Sequence, residues 1–444
     1  MPVVFSHMPL HILIERMKTE VSMLRQAIHY TQNEGAGEGD LQVRVESAVS
    51  AIPIENARVS IAYSGDPAST IEELSTNNIG RTDIVELATP PLAYSLTPDQ
   101  PQPYSEYTVR VEATGFQSVD VSGVEIFSGV KAIQNIRMRP MTVVEEDLQN
   151  IVIPANTLYG DYPPKIAESE IKPVTESGEI VLSRVVVPEF VVVHDGSPRD
   201  STAQDYYVRY RDYIKNVASS EIYATWPDAA IRANILAIMS FTLNRVYTEW
   251  YRNRGYDFTI TSSTAYDHKW IYGRNIFDNI SLIVDEMFNN YLSRPNVKQP
   301  ILTQYCDGER VTCPNWMSQW GSMSLGEQGY STIEILRYYY GESMYINEAE
   351  EISGVPASWP GENLSVGARG DKVRQIQEQL ARIAQVYSSI PSITPDGIYG
   401  PATRAAVEAF QTTFGLPATG VIDFTTWYKI SELYVAITRI AELY

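Results

Sequence analysis

The chain has 444 residues, 44% of them hydrophobic, and a formal net charge of −20. That length suggests about three domains, and the apolar share is that of a globular protein, which excludes long disorder as the main state. No concentrated basic face is available for nucleic acid, and no run of about 18 apolar residues exists to span a membrane.

The acid is unevenly spread. Residues 1–199 hold 14 basic and 27 acidic side chains, residues 200–356 hold 13 and 19, and residues 357–444 hold 7 and 8. The nearly neutral tail can approach an anionic polymer without strong repulsion. Two cysteines, Cys306 and Cys313, exclude a disulfide-dense scaffold. One bridge, one pair of metal ligands or two plain thiols stay open.

Residues 1–38 form an expected amphipathic arm. Leu13, Met17, Leu24 and Ile28 have helical spacing, and the glycines from Gly35 to Gly39 end it. The apolar run from Leu10 to Ile14 is broken by His11 and followed by Glu15 and Arg16, so no export signal is visible.

Residues 39–142 carry short alternating runs, among them Leu41-Gln-Val-Arg-Val, Ala57-Arg-Val-Ser-Ile and Tyr107-Thr-Val-Arg-Val. Such runs between turn residues predict an antiparallel β-sandwich. The order Pro53-Ile-Glu-Asn-Ala-Arg-Val, Gly80-Arg-Thr-Asp and Tyr107-Thr-Val-Arg-Val-Glu-Ala-Thr-Gly115 resembles the carboxypeptidase-regulatory-like sandwich. Residues 143–175 are rich in proline and are expected to be an exposed linker, where proteases cut. Val181 to Val187 and Phe190 to Val193 are candidate strands opening the next domain, expected over 176–355.

In that domain Tyr207, Tyr210, Ile214 and Val217 fall on one helix face, and Glu221 continues the stripe. A carboxylate on the apolar face is out of place. Burial raises a carboxyl pKa, and a glutamate protonated near neutral pH can act as a general acid. The bland alternative is a helix-end glutamate paired with Arg232. After it, Thr225-Trp226-Pro227-Asp228 predicts a capping box, with Thr225 as N-cap. Ile231, Ile235, Ile238, Leu243, Val246 and Trp250 then form a core stripe.

Tyr213-Ile-Lys-Asn-Val-Ala-Ser-Ser-Glu221 and Trp226-Pro227 are followed by Cys306-Asp-Gly-Glu-Arg and Trp316-Met-Ser-Gln-Trp-Gly321. Gly329-Tyr330 and Ile335-Leu-Arg-Tyr-Tyr-Tyr-Gly341 close the series. Together they resemble the SpoIID family of peptidoglycan lytic transglycosylases, over about 135 residues. The resemblance implies a mixed α/β catalytic domain with Glu221 as the catalytic acid/base. The chain departs from the family along the next helix: Arg232-Ala-Asn-Ile and Met239-Ser-Phe-Thr stand there, and an arginine expected near position 240 is absent. Trp316, Trp320, Tyr272 and Trp270 are candidate sugar-stacking rings, and Ser318 and Gln319 are candidate hydrogen-bonding partners of the glycan. His268, Cys306 and Cys313 are the visible metal candidates, without the compact spacing of a structural zinc site. No phosphate loop, Gly-x-Ser-x-Gly or His-Glu-x-x-His occurs, and no cofactor is expected.

Residues 361–435 predict a separate three-helix module. Val373, Ile376, Leu380 and Ile383 form one face; Ala406, Val407 and Phe410 form another. Leu364-Ser-Val-Gly-Ala-Arg-Gly-Asp-Lys-Val373, Asp396-Gly-Ile-Tyr-Gly-Pro-Ala-Thr403 and Leu416-Pro-Ala-Thr-Gly420 resemble the peptidoglycan-binding type 1 domain. The two helices with Gln377 and Gln411 look like an internal repeat. Tyr399, between glycines, is expected to expose its ring as a binding residue; Asp396 and Thr403 are expected to shape a turn and cap a helix.

The chain is thus expected to be a multidomain α+β protein. Its order of parts resembles the clostridial spore cortex-lytic enzymes. That resemblance implies a zymogen acting on spore cortex peptidoglycan during germination, activated by a subtilisin-like Csp protease that removes the front domain. A hydrolytic muramidase or amidase, or a non-catalytic wall-binding coat protein, is the alternative.

Overall fold

The computed structural model describes residues 37–49, 52–141, 148–172, 182–349, 351–353 and 359–438. The helix expected near residues 9–32 lies outside them. The fold is mixed α+β, with eight helices and several sheets among the described residues.

Eight strands open it: β1 (Gly37–Ser47), β2 (Arg58–Tyr63), β3 (Thr70–Ser75), β4 (Val85–Thr89), β5 (Ser105–Glu112), β6 (Val119–Ile126), β7 (Lys131–Met138) and β8 (Gln149–Val152). Alternation sends one face inward, as the two-residue side-chain period requires. Leu41, Val43 and Val45 of β1 share a core with Val59 and Ile61 of β2, Val109 and Val111 of β5, and Val119 and Val121 of β6. One sheet has the order β3-β2-β5-β6-β8 and the other includes β7-β1-β4. The expected antiparallel pairing forms in β1–β4, β2–β3, β2–β5 and β5–β6, but not throughout. The β1–β7 and β6–β8 pairs run parallel, because neither is joined by a hairpin turn that would force opposite directions.

The middle of the chain follows with β9 (Val186–Val187), β10 (Phe190–His194), β11 (Asp205–Arg209), α1 (Tyr210–Glu221), α2 (Asp228–Tyr247) and β12 (Ile260–Thr261). Then come β13 (Ile276–Phe277), α3 (Asp278–Met287), β14 (Asn290–Ser293), β15 (Tyr305–Cys306), β16 (Met317–Ser318), α4 (Gln319–Glu327), α5 (Thr332–Tyr340), β17 (Tyr345–Glu348) and β18 (Glu351–Ile352). The predicted capping box at Thr225 does not form. Helix α2 starts at Asp228 after Pro227, without a side-chain cap bond, and the Thr225 hydroxyl is buried without a hydrogen-bond partner. Asp228 instead holds Arg232 one turn on, at 2.6 Å.

Within the expected linker, residues 148–172 are anchored at points and exposed between them, with Val152 72% and Ile166 47% exposed. Strand β8 joins the sandwich sheet, Ile153 and Leu158 are each 4% exposed, and Asn156, Thr157 and Lys172 are buried. Prolines prevent a helix here, but an extended chain can still lie in a groove when its polar groups find partners. Gly273, at φ +76°, lets β8 pass: a Cβ there would stand 2.4 Å from Ile151.

The sandwich is joined to the middle of the chain by more than this segment. Strand β13 pairs with β7 and extends the sandwich's second sheet. Glu125 of β6 meets Arg274 at 2.5 Å, both side chains almost wholly buried. The Asn275 side-chain amide pairs with the Glu125 backbone: its Oδ1 accepts from the N–H at 3.1 Å and its Nδ2 donates to the carbonyl at 2.9 Å.

Helices α6 (Asp371–Ala384), α7 (Pro401–Phe414) and α8 (Phe424–Thr438) form the C-terminal module. The internal repeat is visible in its hydrogen bonds. Gln377 donates to Thr403, at the start of the next helix, and accepts from the Gly397 N–H. Gln411 does the same with Thr426 and Gly420. Asp396 turns the chain by accepting from the Ile398 N–H at 2.8 Å.

Breaking a buried ion pair by removing one partner costs about 3–5 kcal/mol. Arg274→Met should therefore lower the unfolding free energy by roughly that amount, read from the shift of a urea transition. A loss below about 1 kcal/mol would contradict the role given to the Glu125–Arg274 pair.

Candidate active site at Glu221

Every residue of α1 except Asp212 is buried. The apolar stripe starts at Tyr210; Tyr207, expected on the same helix, sits in β11 and is 76% exposed. Glu221 ends the helix and is 2% exposed.

A helix leaves its last carbonyls without partners inside the helix, and here each finds one. The Ser219 carbonyl accepts from Arg274 at 2.6 Å and from Asn156 Nδ2 at 3.4 Å. The Ser220 carbonyl accepts from the Thr157 N–H at 3.0 Å and Thr157 Oγ1 at 2.6 Å. The Glu221 carbonyl accepts from Gln319 Nε2 at 3.0 Å.

The Glu221 carboxylate accepts from the Lys269 N–H at 2.6 Å. Burial pushes its pKa above the usual carboxylate range, opposed first by the Lys165 ammonium and then by the Tyr305 hydroxyl and the Lys269 N–H. Tyr305 adjoins the carboxylate but falls short of full hydrogen-bond geometry. Arg232, the alternative partner, is engaged with Asp228 and with Glu286 at 2.7 Å.

Lys165 comes from the connecting segment. Its Nζ donates to the Asp267 carbonyl and lies 4.8 Å from the Tyr305 ring centre and 5.1 Å from that of Phe241. His268 lies parallel to Tyr305, with ring centres 5.8 Å apart, and its Nδ1 meets the Tyr213 hydroxyl at 3.0 Å. Burial pushes the His268 pKa well below its ordinary value, so the ring is neutral. Its Nε2, and Nε1 of Trp270, are buried without a hydrogen-bond partner in the protein. Such orphans need an explanation, and both lie beside the residue whose N–H holds Glu221.

The other buried carboxylates of this region are committed. Asp267 holds Arg245 at 2.7 Å, the Tyr251 hydroxyl at 2.6 Å and Thr261. Asp307 accepts from the Arg310 and Val311 N–H groups. Glu168 is bound to Arg245 and Lys172.

The remaining candidates divide by what their polar atoms already do. Gln319 is buried and spends its amide on the Glu221 backbone, so it shapes the site from behind. Ser318 caps α4, accepting from the Gly321 N–H at 2.8 Å. Trp320 packs with Trp226 and Tyr223 in the core. Trp316 is half-buried. Tyr272 is 38% exposed, stacks on Tyr206 at 5.0 Å and accepts from Gln149 at 3.1 Å; Trp270 packs against the same Tyr206. Tyr399 does not display its ring. It is 1% exposed and donates to the Gly420 carbonyl at 3.0 Å, because the turn folds back on the module. Cys306 and Cys313 form a disulfide, with Cα atoms 5.7 Å apart. Among the described residues no three His, Cys, Asp or Glu side chains gather as metal ligands. Lys165, Asn156, Thr157 and Tyr305 are residues around the site that sequence spacing does not find: Asn156 and Thr157 hold the Ser219 and Ser220 carbonyls, Tyr305 adjoins the Glu221 carboxylate, and Lys165 packs on Tyr305.

Residues 369–430 match the family model of the peptidoglycan binding domain. The zinc D-Ala-D-Ala carboxypeptidase of Streptomyces albus G is 41% identical over 76 residues, which are 17% of this chain and 28% of that protein. An uncharacterized protein in the bpoA1 3′ region of Kitasatospora aureofaciens is 39% identical over 69 residues, 15% of this chain and 53% of that protein. The crystal structure of the SleB N-terminal domain aligns at 26% identity with a TM-score of 0.15, covering 17% of this chain and 99% of that one. The chain thus spans about a quarter and about half of the lengths of these two relatives. It carries a peptidoglycan-binding domain at its C-terminal end.

The disulfide closes the loop whose Asp307 carbonyl holds the Trp320 N–H at 3.1 Å. By loop entropy a bridge across seven positions stabilises by about 2–3 kcal/mol. The Cys306→Ser, Cys313→Ser double variant should lose about that much in a denaturant titration; an unchanged midpoint would contradict it.

Proposed function

We propose that the chain cleaves peptidoglycan glycan strands as a lytic transglycosylase, with Glu221 as general acid and then general base. The observation that carries this reading is the buried, protonatable carboxyl of Glu221, whose neighbours Asp267, Asp307 and Glu168 are each held by other partners. Two-carboxylate glycosidases set an acid and a second carboxylate across the bond they cut. A transglycosylase needs one. The Glu221 carboxyl gives its proton to the glycosidic oxygen as the bond from C1 of N-acetylmuramic acid to N-acetylglucosamine breaks. The resulting carboxylate takes the proton of the C6 hydroxyl on the same muramic sugar. That oxygen bonds to C1 and closes a 1,6-anhydro ring. The proton returns to Glu221, and no water is consumed.

The raised Glu221 pKa supports the first step, since the proton donor must be protonated at working pH. Tyr272, 38% exposed, is the ring placed to stack a pyranose, with Tyr206 and the buried Trp270 packed behind it. The C-terminal domain keeps the enzyme on its polymer. The working reading is a SleC-like spore cortex-lytic enzyme, made as a zymogen and cut by a subtilisin-like Csp protease during germination. The cut that removes the front domain is sought within residues 143–175, the linker expected from the sequence.

Glu221→Gln should reduce release of soluble fragments from sacculi by at least about 100-fold and leave sedimentation with sacculi unchanged. Release within about threefold of the wild type would overturn the assignment and favour a second catalytic group.

A further inference from the structure

Lys165 carries a buried charge without an ion-pair partner. Its residue surface is partly exposed, but its Nζ lies inside, over the rings of Tyr305 and Phe241, which are 3% and 0% exposed. Its hydrogen bond goes to a carbonyl, and among the described residues no carboxylate stands within ion-pair distance of it. A buried ammonium without a counter-charge is costly. Burial therefore lowers the Lys165 pKa, opposed first by the charge of Glu221 and then by that of Asp267.

The geometry links the two groups twice. Lys165 anchors the Asp267 carbonyl, two residues before the N–H of Lys269 that holds Glu221 at 2.6 Å. It also packs on Tyr305, whose hydroxyl adjoins the same carboxylate. Lysine suits this place because its charge is a compact point that carbonyls and ring faces can surround.

We propose that Lys165 is a positioning residue of the active site, a cation supplied by the connecting segment that holds Glu221 able both to give and to take a proton. The proposal rests on the reading of Glu221 as acid and base. A carboxyl buried at a helix end without a cation would stay protonated and could not act as base in the second step. The cation offsets that burial. Other groups facing Glu221 are Lys269 from the loop after β12, Tyr305 from β15, Tyr213 from α1 and Tyr162 from the connecting segment. Arg245 and His268 complete the surroundings of Lys165. Of these, Lys165 makes the largest charge contribution to Glu221.

The test is the pH dependence of sacculus lysis by the full chain. An acid catalyst loses activity as pH rises through its pKa, and removing a nearby cation raises that pKa. Lys165→Met should move the alkaline limb upward by about one pH unit or more, whereas Lys165→Arg should leave it in place. A Lys165→Met enzyme slowed by the same factor at every pH, with the limb unmoved, would overturn the proposal. Glu221→Gln separates the two ideas. An active Glu221→Gln enzyme removes the reading of Glu221, and the lysine's role with it. An inactive one, with an unmoved limb in Lys165→Met, removes the lysine's role alone. Should Lys165→Met not fold, the unfolding midpoint of Glu221→Gln decides. Its deficit against the wild type should grow as pH rises through the Glu221 pKa, because only the ionised carboxyl counters the ammonium. A deficit that is the same at every pH, or none, would overturn the proposal.

Discussion

A carboxylate at the C-terminal end of a buried helix faces two penalties. Water is excluded from it, and the negative end of the helix dipole repels it. Glu221 stands in that position, and much of the surrounding structure answers the problem. The Lys269 N–H meets the carboxylate directly. The carbonyls behind it are taken up by Asn156, Thr157, Arg274 and Gln319, which come from three separate stretches of chain. Arg274 in turn is held by Glu125 of the sandwich. The front domain is therefore tied, through one buried ion pair, to the last turn of the helix that carries the candidate acid.

The other end of α1 faces the C-terminal module. Arg211 and Lys215 both meet Asp285 of α3, at 3.2 and 2.7 Å, and Arg211 also binds Glu432 and the Tyr428 carbonyl of α8. These charges are buried, so they demand specific geometry more than they add stability. Ten residues of helix separate Arg211 from Glu221, about 15 Å at 1.5 Å per residue. One helix thus joins the peptidoglycan-binding domain to the candidate catalytic carboxyl.

Local patterns carried far along the chain. Alternation in Leu41-Gln-Val-Arg-Val marked an inward face, and the apolar spacing of Val373, Ile376 and Leu380 marked a helix whose glutamine recurs in the next. What they did not carry is what depends on pairing between distant segments. The parallel β1–β7 pair is invisible in either strand alone. Residues 148–172 read as a proline-rich linker because nothing in their composition reveals a groove with partners for Asn156, Thr157 and Glu168. Gln319 stood in a sugar-binding motif by type, but its amide serves the backbone of Glu221. Tyr399 lies between glycines that permit a turn, and the turn folds its ring inward. Glu221 itself was marked by one out-of-place charge on an apolar stripe, whereas Lys165, 56 positions earlier, has no spacing that could connect it.

A single carboxyl that cuts the glycan without water leaves a signature in the mass of the product. It is read by mass spectrometry of fragments released from sacculi by the full chain and by protein cut within residues 143–175. Muramic ends lighter by one water than hydrolysed ends are expected. Reducing ends of full mass, formed at comparable rates, would contradict this and require a second catalytic group opposite Glu221.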